Sequence, residues 1–107
     1  MIAGAHFNYF NKNENYSERM RAVAELSNNQ FIDLYGNGWS KPGIKMLLNP
    51  IYIRHKSKIK SVYKGVAVSK ESCYSKYDFA ICFENQDSEG YITEKIFDCL
   101  LAGCIPI

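Results

Sequence analysis

Two short apolar runs, Phe79-Ala80-Ile81-Cys82-Phe83 and Cys104-Ile105-Pro106-Ile107, bracket a polar loop and an amphipathic segment. Runs of four or five apolar residues around a stretch of 3.6-residue period read as strand, loop, helix, strand. A parallel βαβ unit uses this order, and it turns the first loop and the helix start toward the ligand side of the sheet. That loop carries Glu84, Asn85, Asp87, Glu89 and Tyr91, and the helix opens with Thr93, Glu94 and Lys95. Most polar chemistry of the second half of the chain gathers at this corner.

The helix carries its own signals. Thr93 suits an N-cap, its hydroxyl able to accept from a free N–H of the first turn. Ile96 with Leu100, and Phe97 with Leu101, stand at i and i+4 and define one broad apolar face. Gly103 falls where a left-handed C-terminal cap is wanted. Free N–H groups and the positive dipole end favour an anion at the start, and Lys95 adds a full charge. A capped helix whose Glu94 and Lys95 are merely solvated would carry the same pattern.

The rest of the chain can be taken in order. Gly4 to Asn15 is polar and aromatic and reads as a loop, beginning just after an apolar strand end at Met1-Ile2-Ala3. Asn15 and Glu18 have capping-box spacing, and a helix is expected from about Tyr16 to Ser27 with Met20, Val23, Ala24 and Leu26 as its core face. Arg19 and Arg21 lie in its first turns, where cations oppose the dipole and need solvent or an anion nearby. Phe31 to Tyr35 reads as a strand, and Gly36-Asn37-Gly38-Trp39 as a turn, its Trp either shaping a pocket or covering the core. Ser40 to Asn49 is ambiguous, with a helical turn open at Ile44 to Leu48, and Pro50 keeps Asn49 out of a helix. The basic run Arg54 to Lys60 reads as a solvated charged loop before a strand at Val62 to Val68. Ser69 caps a short helix expected to run to Tyr77, which leads into the strand Asp78 to Phe83. This alternation predicts an α/β fold, a mostly parallel sheet with helices on its faces.

Composition narrows the class. The 107 residues are 47% hydrophobic and 22% charged, which suits a folded domain rather than a disordered one. A net charge of +2 does not demand a nucleic acid. Cys73, Cys82, Cys99 and Cys104 form no C-x-x-C pair and sit in or near apolar runs, so buried thiols in a reducing compartment are expected rather than zinc ligands. No apolar stretch approaches the ~20 residues of a membrane span. The apolar ends read as those of a piece of a larger α/β protein.

The residues Tyr77-Asp78-Phe79-Ala80-Ile81-Cys82-Phe83-Glu84-Asn85, then Gly90-Tyr91-Ile92-Thr93-Glu94-Lys95-Ile96-Phe97-Asp98, then Ala102-Gly103-Cys104-Ile105-Pro106-Ile107 resemble the signature of glycosyltransferase family 10. These are the α-1,3/1,4-fucosyltransferases, whose pattern is roughly Y-K-F-x-x-x-F-E-N, Y-[VI]-T-E-K, G-x-[VI]-P. Tyr16-Ser17-Glu18-Arg19, Asp33-Leu34-Tyr35-Gly36 with Gly38-Trp39, and Tyr63-Lys64-Gly65 fall in the family's order too. The resemblance implies a GT-B architecture of two Rossmann-like domains, residues 1–107 supplying most of the C-terminal, GDP-fucose-binding one. It implies inverting transfer of L-fucose to a glycan acceptor. Arg19 and Lys95 would contact the diphosphate, Glu94 would hold ribose or fucose hydroxyls, and Asn85 and Tyr91 would line the donor pocket. Arg19, Glu94 and Lys95 would be the catalytic set. No metal and no cofactor beyond the GDP-fucose donor are implied, since two cations at a helix start can stabilise departing GDP.

The chain departs from the family at three points. Gly4-Ala5 stands where Ser-Asn is usual, Asp78 where Lys is commoner, and no Tyr-Trp-Gly follows the last proline segment. The acceptor domain and its general base are not in these residues, so the chain alone is expected to be inactive. An inactive nucleotide-sugar-binding module is the alternative. A basic RNA- or membrane-surface module built on Arg54 to Lys60 is a third reading. Asn/Lys/Ile-rich composition points to a bacterial cytoplasmic enzyme, membrane association left open, with a Golgi enzyme's catalytic portion as the alternative. The oligosaccharide acceptor would be reached through the other domain, and no nucleic acid partner is expected.

Overall fold

The structure is a computed structural model that describes residues 1–5 and 12–107. The part of the expected Gly4–Asn15 loop at residues 6–11 lies outside the described residues. Helix α1 spans Tyr16–Leu26 and buries Arg19, Met20, Val23 and Ala24, the last three being most of its expected core face. A 3-10 turn at Ser27–Asn29 ends it. The Asn15/Glu18 capping box does not form. Asn15 lacks the extended backbone a side-chain cap uses, with φ −101° and ψ 7°. The Glu14 carboxylate takes the role, accepting from the Ser17 N–H at 3.0 Å and from the Ser17 hydroxyl, while Glu18 pairs with Arg21.

Strand β1 (Leu34–Tyr35) pairs in parallel with β2 (Tyr63–Gly65), and Ile2 bridges to the other side of Tyr35, also in parallel. Between β1 and β2 lie α2 (Ile44–Leu47) and α3 (Pro50–Val62). Helix α4 (Lys70–Tyr74), capped by Ser69 Oγ on the Ser72 N–H as expected, leads to β3 (Phe79–Ala80). Helix α5 (Glu94–Leu101) then returns the chain to β4 (Ile105–Pro106), which lies parallel to β3. The fold is therefore α/β with parallel pairing, but the strands are shorter than the apolar runs predict. They make two separate two-stranded sheets rather than one. A register shift between Leu34 and Tyr35 interrupts the first ladder, and Pro106 has no N–H to extend the second.

Helix α3 corrects the charged-loop reading of Arg54 to Lys60. Its start is well specified: Asn49 Oδ1 accepts from Ile51 N–H at 2.8 Å and Tyr52 N–H at 3.1 Å, with Pro50 at the first helical position. Tyr52, Ile59 and Val62 fall at i, i+7 and i+10, one stripe, and all three are buried. Four cations between them obscure that stripe in the sequence.

The main core joins Met20 and Val23 of α1, Leu34 of β1, Trp39, Met46 of α2 and the buried stripe of α3. Trp39 thus covers the core rather than shaping a pocket, its indole N–H donating to Ala3 O at 2.6 Å. A smaller core holds Tyr74, Ala80, Cys99 and Cys104. Three of the four cysteines are buried and all four are free thiols, as the apolar context predicts. Helix α5 turns Cys99 inward, whereas Phe97, Leu100 and Leu101 are exposed and Ile96 is half-buried. The apolar face read from the sequence is present, but among the described residues it faces outward. Gly103 takes φ 76° after α5, the left-handed geometry expected of it.

Asn49 is 1% exposed and holds two N–H groups at the start of α3. Asn49→Ala should lower the unfolding free energy by about 1–2 kcal/mol, measured by urea titration. Asn49→Asp, which keeps the acceptor and suits the dipole, should recover most of it.

Candidate active site

A backbone contact between the two halves of the chain builds the site. Residues 13–15, just before α1, run antiparallel to residues 85–87, just after the apolar run Phe79–Phe83. Asn15 N–H donates to Asn85 O at 3.0 Å, Asp87 N–H donates to Asn13 O at 2.7 Å, and Glu14 bridges Gln86. This pairing carries the first turn of α1 up to the loop that precedes α5. Arg19 then crosses to that loop, one terminal nitrogen donating to Phe83 O at 3.3 Å and to Asn85 Oδ1 at 3.2 Å.

Arg19, Asn85, Glu94 and Lys95 line one cleft of about 320 Å³, together with Gly4, Gly36, Asn37, Lys70 and Tyr74. Four of the five residues singled out in the sequence thus meet in one place. Tyr91, 37% exposed, is not among the residues that line it. Gly36 fits the wall because its φ is 141°, and a Cβ there would come within 1.9 Å of Ala3 O. Another cavity, of about 400 Å³, is lined by Asp33, Tyr77 and mostly apolar side chains, and contains no Lys or Arg.

The cations of the cleft differ in how their charge is answered. Arg19 is 3% exposed, and no carboxylate among the described residues lies within ion-pair distance. Its guanidinium lies over the Tyr16 ring at 5.1 Å, and its Nε is buried without a hydrogen-bond partner. Burial lowers its pKa, offset in part by Tyr16, Glu14 and Glu84, but arginine keeps its charge. Lys95, by contrast, is held by Glu84 at 2.9 Å and donates to Thr93 Oγ1 at 2.7 Å. Lys70 Nζ reaches Asp98 at 2.7 Å and Glu94 at 3.4 Å, and the Asp98 hydrogen bond is what most strengthens its hold on its proton.

Two members of this constellation had no role in the sequence reading: Glu84, named there only as part of the polar loop, and Lys70. Glu84 is the organiser of the α5 start: its carboxylate accepts from Thr93 N–H at 2.8 Å, from the Thr93 hydroxyl and from Lys95. Thr93 stands at the N-cap but makes no cap bond; its hydroxyl donates to Glu84 and accepts from Lys95 instead. The only sequence signal for Glu84 is its place between Phe83 and Asn85, since nine residues separate it from Thr93. Lys70 carries no signal beyond following the cap Ser69. Burial works to raise the Glu84 pKa, but the Thr93 and Lys95 hydrogen bonds outweigh it and the carboxyl sits below its ordinary range. The Glu94 carboxyl is lowered as well, mainly by the N–H of its own residue at the free helix start.

The family model described as glycosyltransferase family 10 (fucosyltransferase), C-terminal, matches residues 5–107. The chain belongs to glycosyltransferase family 10. Among curated relatives, a fucosyltransferase-like protein of Arabidopsis thaliana is 42% identical over 40 residues, 37% of this chain. An alpha-(1,3)-fucosyltransferase, FucT, of Helicobacter pylori is 46% identical over 39 residues, 36% of the chain. The aligned stretch spans 8% of the length of each relative. No solved structure matches the chain.

A carboxyl whose folded pKa is depressed adds stability above its unfolded pKa, and that stability disappears as pH falls through the folded value. Wild-type protein should therefore lose stability as pH falls below about 4.3, the ordinary Glu value. Glu84→Gln should be less stable at pH 7 and flatter through the acid range, a difference that urea titrations at stepped pH would reveal.

Proposed function

We propose that this chain is the donor-binding part of a fucosyltransferase of GT-B architecture. In it GDP-fucose lies in the Arg19–Lys95 cleft, and L-fucose passes with inversion to a glycan hydroxyl. The observation that carries this reading is Arg19, a buried guanidinium without a carboxylate, turned to the same cleft as Lys95 at the first turn of α5. Removing a charge from water costs several kcal/mol unless a counter-charge meets it. A planar fork with free donors suits a diphosphate, and the free N–H groups of α5 add to the same field.

In the reaction the acceptor oxygen bonds to C1 of fucose while the C1–O bond to GDP breaks, and its proton goes to a base from the acceptor domain. Charge develops on the β-phosphate, where Arg19 and Lys95 offset it. Glu94, with free carboxylate lone pairs and Lys70 beside it, accepts from a ribose or fucose hydroxyl. Asn85 orients Arg19 and lines the pocket, and Tyr91 stands outside that lining, on the loop before α5.

Calorimetric titration of the chain with GDP-fucose, GDP and GMP tests this. GDP-fucose and GDP should bind, and GMP, lacking the second phosphate, should bind far more weakly. Arg19→Lys, which keeps charge but loses the fork, and Lys95→Ala should each weaken GDP by about 10- to 100-fold, the range of a charged hydrogen bond, with unchanged circular dichroism. Equal affinities for the three nucleotides would overturn the assignment. The 107 residues alone should bind donor without transferring fucose, and detectable transfer would refute the need for a separate acceptor domain.

A further inference from the structure

The net charge of +2 conceals a strong segregation. Between Asp33 and Glu71 the chain has eight Lys or Arg and no Asp or Glu. Two of the eight are neutralised at a distance in sequence, Lys64 by Asp33 and Lys70 by Glu94 and Asp98. Arg54, Lys56, Lys58 and Lys60 are all exposed on α3 and have no ion pair among the described residues. The opposite stripe of the helix is locked into the main core, so the basic face is fixed in place rather than swept about on a loop.

Apolar side chains share this surface. Ile53 is 60% exposed and stands at i, i+3, i+7 with Lys56 and Lys60, one stripe of the helix. Leu48, directly before the α3 cap, is 68% exposed, and Ile44 of α2 is 74% exposed. Exposed aliphatic residues beside unpaired lysines are the two elements of interfacial membrane binding: insertion of side chains and attraction to anionic headgroups. Single-stranded nucleic acid would want an exposed aromatic platform, and of the two rings of α3 Tyr52 is 1% exposed and His55 is half-buried.

We infer that the α2–α3 surface docks on the face of a bilayer rich in anionic phospholipid, holding the cleft beside the membrane without crossing it. No helix among the described residues is long and apolar enough to span a membrane. This surface is distinct from the nucleotide cleft, so the inference stands whether or not that cleft binds GDP-fucose.

Vesicle flotation with the full chain tests it. Protein should float with vesicles of mixed phosphatidylglycerol and phosphatidylcholine and stay behind with phosphatidylcholine alone. Binding should fade as salt shortens the screening length from about 10 Å at 0.1 M to about 3 Å at 1 M. Lys56→Gln/Lys60→Gln should weaken binding by about 25-fold, about fivefold for each charge. Ile53→Ser should weaken it further without changing the salt slope. All three positions are exposed, and circular dichroism should not change. Equal binding to both vesicle types, or no effect of the double substitution, would overturn the inference. Tighter binding to a single-stranded oligonucleotide than to anionic vesicles would overturn it as well.

Discussion

Arg19 is the point on which the two halves of this chain turn. Withdrawn from water and given no carboxylate among the described residues, its charge is answered only in part, by a carbonyl, an amide oxygen and the face of Tyr16. Those partners come from both halves, Tyr16 from α1 and the others from Phe83 and Asn85 at the end of the run that holds β3. The antiparallel contact of residues 13–15 with 85–87 holds that geometry. Without the contact, α1 and α5 would be separate capped helices and no cleft would lie between them. A buried, incompletely satisfied cation is costly in a folded protein, and sites that carry such a cost are typically those that a ligand completes.

Lys95 has the complementary character. Glu84 neutralises it and also fixes Thr93. One carboxylate thereby sets the start of α5 and the position of its lysine together. The cleft pairs one cation poised without a counter-ion with another held ready by an internal one. An arriving anion therefore meets an unsatisfied guanidinium at once, and shares Lys95 with Glu84 in a geometry already built.

The rest of the charge is distributed with equal consequence. Every Asp and Glu lies outside residues 34–70, and three of them, Glu84, Glu94 and Asp98, meet Lys70 and Lys95. The basic excess stays on α3 and faces solvent. The cleft and the basic surface thus belong to different elements.

Local order was legible where a residue acts through its own neighbours. The Ser69 cap, the bend at Gly103, the core positions of α1 and the strand–helix–strand order around α5 follow from side-chain period and backbone allowance alone. Helix α3 was not legible, because its buried stripe is three residues among a dozen and the cations between them dominate composition. The outward turn of Phe97 and Leu101 was hidden as well, since period says that a helix has an apolar side but not what lies against it. Motif spacing brought Arg19, Asn85, Glu94 and Lys95 to notice by resemblance, while the amino acids by themselves allowed each to be a solvated surface residue. The sequence by itself determined helices α1, α4 and α5 and which side chains are chemically able to meet an anion. Tertiary structure alone decided that Arg19 is dry and unpaired, that Glu84 governs Lys95, and that the basic run is a rigid face. These depend on contacts between residues many positions apart, which no local period encodes.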